Sequence, residues 1–323
     1  MNLTQLTQSL IGRSKPIQLL KTKPTNPNRA QSAFPIRHFD FGFESDQLDP
    51  KFYMQAEWAS AYFAALSIFL TYGEDLVIET ARYHRDLIKD PVLKQRLTAL
   101  IGQEALHSKI HEEYNDAMIP RNLPVTLYRK LAEAVFDNLL LKFPQPLKLS
   151  LMSGIEHFTA VLAEYMMRNE ENFYHSDDVR GRGLWMWHML EESEHKDVAY
   201  DVYQQINGSY PLRMAGFAIA ALTLFGGVSA GALMLPFFRR PKNLVDINFW
   251  KEGVNSYALL FGSKRGVFGS SIKHIADYVR PSFHPNDHDA SEYLAYYKQK
   301  LLDPEYGALT PYFIKEFTPK LRA

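Results

Sequence analysis

The chain of 323 residues contains no cysteine. Disulfides, thiolate-held zinc or iron–sulfur centres and a cysteine nucleophile are excluded with it. A metal ion in this protein has only His, Asp and Glu to bind to. Net charge is also missing, since 36 Lys and Arg balance 36 Asp and Glu. That balance excludes a globally basic nucleic-acid binder and a polyacidic tail protein, so no nucleic-acid partner is expected. No segment shows clean two-residue alternation bounded by Asn-Gly or Asp-Gly, so a sheet is not expected either. The length supplies ample chain for a packed core.

Two stretches depart from the averages. Residues 1–38 carry Arg13, Lys15, Lys21, Lys23, Arg29 and Arg37 with no acidic residue. They lack a secretory apolar core and read as a disordered basic leader. The second stretch, Met214 to Phe238, contains no charge and is flanked by Arg213 and by Arg239 and Arg240. It is long enough to span a bilayer. Three readings stay open: a spanning or hairpin anchor, a buried core or dimer helix pair, and an apolar access channel. A single span would place the more basic flank inside and the N-terminal domain outside, which a chain read as lacking a signal peptide does not favour. A hairpin broken near Gly226–Gly227 and closed at Pro236 avoids the conflict. Gly227 and Gly231 form a small-xxx-small pair suited to close helix packing.

The rest reads as helix. Apolar spacing and Pro or Gly punctuation mark helices over 52–89, 92–118, 124–143, 147–174 and 177–207, with a kink expected at Gly73. Four domain-level pieces follow: a leader (1–38), a helical bundle (39–210), an apolar helix or hairpin (211–240) and a helical or irregular extension (241–323).

One short motif recurs. Glu104-x-x-His107 and Glu192-x-x-His195 each place a carboxylate and an imidazole one turn apart on one helix face. Glu74 lies one helix ahead of the first motif and Glu156 one helix ahead of the second, at nearly equal spacing. A Glu from each of two helices plus Glu-x-x-His from each of two others is the ferritin-like di-metal pattern, and helix 124–143 then serves in the long crossover. Glu79 and Glu164 are the substitutes for Glu74 and Glu156. Mixed carboxylate and imidazole ligands suit Fe or Mn, with Zn an alternative. His188, four residues before Glu192, is either a seventh ligand or a core histidine. His111 can face the same site. Asp197 and Asp201 are candidates to accept an imidazole N–H.

The block Gly73-Glu74, Gln103-Glu104-x-x-His107, Glu156-His157-x-Thr159-Ala160 and Trp187-His188-x-x-Glu191-Glu192-x-Glu194-His195-Lys196-x-Val198-Ala199-x-Asp201 resembles the bacterial family described as predicted metal-dependent hydrolases. The similarity covers roughly residues 35–305. The His188–Glu192–His195 arrangement is also similar to that of the arylamine N-oxygenases, which implies a di-iron site with an additional histidine ligand.

The expectation is therefore an all-α, ferritin-like four-helix bundle with a helical crossover and a C-terminal helical extension. Its seven candidate ligands are Glu74, Glu104, His107, Glu156, His188, Glu192 and His195, holding two metal ions, Fe first. The leading function is O2-dependent oxidation of a hydrophobic small molecule. A two-metal hydrolase of an ester or phosphoester and a non-catalytic iron-binding protein are the rivals. An electron donor, a homodimer partner and a cytoplasmic location with inner-membrane attachment through 214–238 complete the expectations.

Overall fold

The computed structural model describes residues 33–43, 49, 51–118, 124–176, 178–239, 245–262, 266 and 269–320. Most of the basic leader thus lies outside the described residues. Its last part does not: β1 (Ile36–Phe39) pairs antiparallel with β2 (Phe313–Phe317). This two-stranded ribbon is the one sheet among the described residues, and the sequence pattern did not announce it.

Four long helices make an all-helical bundle. These are α1 (Glu57–Arg85), α2 (Pro91–Met118), α4 (Gln145–Arg168) and α5 (Val179–His195), with α3 (Val125–Asn138) in the crossover. Helix α1 is buried on every side from Glu57 to Thr71, as befits an apolar helix at the centre of a packed core. It begins later than its apolar spacing predicts because Met54 and Gln55 take left-handed backbone angles (φ 56° and 52°). It runs through Gly73 as one helix. Pro91 opens α2, and Asp90 Oδ1 accepts from the Val92 and Leu93 amides, so a cap and a first-turn proline fix this start. The fifth predicted helix is two: α5 stops at His195, and α6 (Val198–Ile206) follows, ending at Gly208 with φ 65°.

The charge-free stretch forms one long helix, Tyr210–Arg239. It consists of α7 (Tyr210–Ala221), a π turn (Leu222–Gly227) and α8 (Val228–Arg239). The hairpin break expected at Gly226–Gly227 is therefore a π turn within a continuing helix, and Pro236 lies inside α8 rather than closing it. Helix α7 packs on α4, and α8 packs on α1. A Cβ at Gly231 would lie 2.4 Å from Tyr128 Cζ and 2.7 Å from Ala65 Cβ, so the small residues permit close packing within the chain. Arg213, expected as a flanking charge, is instead buried among the rings of Tyr200, Tyr210 and Tyr278.

The C-terminal extension holds α9 (Ile247–Phe261), α10 (Ile272–Asp277) and α11 (Ser291–Leu302). Leu260, Ile275, Tyr297 and Leu301 join the same apolar core as the bundle.

Candidate metal centre

The four bundle helices bring all seven sequence-derived ligand candidates into one buried cluster. Glu74 comes from α1, Glu104 and His107 from α2, Glu156 from α4, and His188, Glu192 and His195 from α5. Each is at most 4% exposed, although a bundle core disfavours ionic groups strongly. Two triads emerge, Glu74–His107–His188 and Glu104–Glu192–His195, each with donor atoms within 4.8 Å of one another. Glu156 joins the second, its Oε2 3.3 Å from His195 Nε2. The substitutes go elsewhere: Glu79 pairs with Lys148 at 2.6 Å, and Glu164 faces another part of the molecule.

Two carboxylates touch both triads. Glu192 Oε1 is 3.2 Å from His188 Nε2 and 3.7 Å from His107 Nδ1, while its Oε2 is 3.3 Å from His195 Nε2. Glu104 Oε1 is 3.2 Å from His195 Nε2 and 3.8 Å from His107 Nδ1. These approaches lack hydrogen-bond geometry. Both oxygens of Glu74, Glu104 Oε1, His107 Nδ1, Glu156 Oε2, His188 Nε2, Glu192 Oε2 and His195 Nε2 are buried without a hydrogen-bond partner. Leaving this many polar atoms unsatisfied is costly, and cations are the groups that satisfy them all. Four carboxylates also match the charge of two divalent ions.

Hydrogen bonds decide which imidazole nitrogen faces the cluster. His107 Nε2–H donates to Glu191 Oε2 at 3.1 Å, and Glu191 is held by Arg37 Nη1 at 3.0 Å. His195 Nδ1–H donates to Gln103 Oε1 at 2.9 Å. The Gln103 amide is oriented because its Nε2 donates to the Pro35 carbonyl and to Glu194. Glu194 in turn binds both terminal nitrogens of Arg37. For His188 the logic is longer. Ser67 Oγ donates to Asn115 Oδ1 at 2.7 Å, so it must accept from His111 Nδ1–H at 2.8 Å. Neutral His111 then presents Nε2 as an acceptor to His188 Nδ1–H at 2.8 Å, which leaves His188 Nε2 with a free lone pair. Burial holds His111 well below the ordinary imidazole range and lowers His188, with neighbouring imidazoles adding to both effects. Both rings are neutral, and only His188 keeps a free lone pair.

The remaining shifts show a cluster with more carboxylate than its imidazoles neutralise. Burial pushes Glu74 well up, with His107 opposing and Glu104 and Glu192 adding. Burial and then Glu104 push Glu156 to about 8. Burial would lower His107 and His195, but adjacent carboxylates hold both well above the usual range. Burial would raise Glu192, but His195 and His188 hold it well below.

Sequence spacing missed part of this support. Asp197 and Asp201 do not accept from His195: Asp197 takes Arg96 and Asn286, and Asp201 takes His284. Arg37 belongs by sequence to the basic leader, yet it is 3% exposed and anchors Glu191 and Glu194, the acidic neighbours of Glu192. Its partners are set by strand pairing far along the chain, so no local signal marks it.

A small cavity adjoins the cluster, lined by Glu74, Glu104, Glu156 and Glu192 and by apolar residues such as Phe69, Val77, Ile155 and Leu224. About 20 Å³ is open to the centre of a water-sized molecule, room for about one water. Thr223 and Leu224 of the π turn form part of its wall.

A family model described as predicted metal-dependent hydrolase matches residues 35–289. The chain belongs to this family. The match begins just before β1 and takes in every ligand candidate. No curated protein and no solved structure matches the chain, so the likeness to the arylamine N-oxygenases rests on the His188–Glu192–His195 spacing alone.

Proposed function

We propose that this family member is a di-iron carboxylate enzyme that uses O2 to oxidise a hydrophobic small molecule. The observation that carries it is the convergence of buried, unpartnered carboxylate and imidazole atoms from four helices on one space beside an apolar cavity. Mixed Glu and His donors suit iron or manganese, and the helix-by-helix origin of the ligands follows the di-iron bundle pattern. Bound iron would supply the electron chemistry that O2 requires, renewed by an electron donor. The chain's own residues do the rest. His107 and His188, held by Glu191 and His111, present fixed lone pairs. Glu104 and Glu192 reach both triads and would help to hold both ions. Phe69, Val77 and Leu224 keep bulk water from the cavity and favour an apolar substrate.

The family's description favours a second reading, hydrolysis at a two-metal site. The cavity lining argues against it, since it holds no Lys or Arg for a phosphoryl or carboxylate group and no general base besides the ligand carboxylates. The third reading, a non-catalytic iron binder, leaves the apolar cavity without a role.

Metal content and colour discriminate these readings. About two irons per chain with an absorption band that bleaches on reduction is the expected result. Zinc together with esterase or phosphatase turnover would overturn oxidation. A Glu104→Ala protein that still holds two metals would refute the ligand assignment.

We also infer that the helix Tyr210–Arg239 rests on a lipid surface. Its outward residues Ala218, Leu222, Gly226, Ala230, Leu233 and Phe237 recur every three or four positions and are all exposed and uncharged. Soluble surfaces seldom leave such a stripe uncovered. The opposite face is packed along α4 and α1, which supports lying on a membrane over crossing it.

A further inference from the structure

Glu164, the unused substitute for Glu156, lies in a second cluster. It sits two turns further along α4 and meets His274 of α10 and His288 of the following segment. The donor atoms of all three lie within 4.8 Å of one another. His274 Nδ1 is 3.6 Å from Glu164 Oε1, and the two imidazole rings are 4.3 Å apart between centroids. Asp277, one turn from His274 on α10, places Oδ2 3.0 Å from His288 Nε2 without hydrogen-bond geometry, and that nitrogen is buried without a hydrogen-bond partner.

We propose that Glu164, His274 and His288 form a separate binding site for a single zinc-type divalent cation, which clamps the C-terminal extension to α4 of the bundle. Two imidazoles and a carboxylate are a zinc donor set, and bonds of about 2.0–2.2 Å in tetrahedral geometry put ligand atoms roughly 3.4 Å apart. The 3.6 Å approach of Glu164 and His274 is close to that value. The further closure falls to His274, whose side chain is 43% exposed. Burial and the neighbouring His274 lower His288, which keeps it a neutral donor. Asp277 adds negative charge at the rim.

Two cations lie beside the site. Arg168 Nε donates to Glu164 Oε1 at 2.9 Å, the same oxygen that lies 3.6 Å from His274 Nδ1, so a metal bound there displaces the guanidinium. Lys196 is engaged by the backbone oxygen of His288. The three ligands come from α4, α10 and the segment after it, so the ion would join parts of the chain that are distant in sequence. An ion held there would cross-link the extension to the bundle, with a coordination position left to solvent.

The test is metal counting on the full chain after dialysis against Zn2+, with circular dichroism as a fold control. His274→Gln/His288→Gln is expected to hold one zinc fewer per chain than the parent and to lose part of the zinc-dependent rise in melting temperature. The single His274→Gln change, at a half-exposed ring, gives the same readout should the double variant fold poorly. Arg168→Met is expected to tighten zinc binding. Equal zinc counts in His274→Gln and the parent would overturn the proposal. Glu104→Ala serves as the reference for the core centre, because its losses leave the third equivalent in place.

Discussion

His111 donates nothing to the metal triads, yet its ring decides which nitrogen of His188 is free. Replacing it with Phe removes the acceptor for His188 Nδ1–H and lets that ring turn or change tautomer. Losing such an outer partner typically weakens metal binding about 10–100-fold. His111→Phe is therefore expected to weaken one of the two core metals by that factor in a metal titration, and His111→Gln, which keeps an acceptor oxygen, to recover part of the loss. Unchanged affinity in both variants would remove the His188–His111–Ser67 chain from the account of the site. At this scale much was legible in the sequence. The Glu-x-x-His spacing is a local consequence of 3.6 residues per turn, and it picked out Glu104, His107, Glu192 and His195 without knowledge of the fold. His111 is also one turn from His107, so its proximity was legible. Its partner Ser67 on α1 was not, because the link depends on how two helices are rotated against each other.

Among the elements, α4 and α7 meet in a tight seam. A Cβ at Gly216 would lie 2.1 Å from Ser150 Oγ and 2.4 Å from its backbone carbon. Backbone cannot yield cheaply, so Gly216→Ala is expected to cost about 1–3 kcal/mol in denaturant unfolding. Gly73 is the contrast. It sits inside α1 with nothing within 4 Å of the added carbon, so Gly73→Ala should gain about 0.5–1 kcal/mol through helix propensity. A neutral Gly216→Ala would show that α7 does not lie on α4 as described. The helices themselves were largely readable from apolar spacing, with starts at Pro91 and Val125 near their expected places. The π turn was not. Gly226 and Gly227 suggest a break to any reading of propensity, but packing of Gly227 against Phe69 and Gly231 against Tyr128 keeps the helix going. The ribbon between Ile36–Phe39 and Phe313–Phe317 was equally hidden, since each strand is short and its partner lies at the other end of the chain.

For the whole molecule, the outward apolar stripe of the Tyr210–Arg239 helix sets a clear expectation. The full-length protein should sediment with liposomes, and Leu222→Lys/Leu233→Lys should release it without loss of core metal. A parent protein that stays soluble and dimeric would assign the stripe to a second copy of the chain instead. By itself, the sequence determined the chemistry available to this protein. Absence of cysteine confined metal binding to His, Asp and Glu, and helical periodicity placed those residues on inward faces, because both are properties of short segments. Only the tertiary structure decided how the helices face one another. It joined Glu74 to His107 and His188, sent Glu164 to His274, and buried Arg37 against Glu191 and Glu194 beside the candidate centre. Such contacts depend on helix rotation and on closure between residues far apart in the chain, which no local pattern encodes.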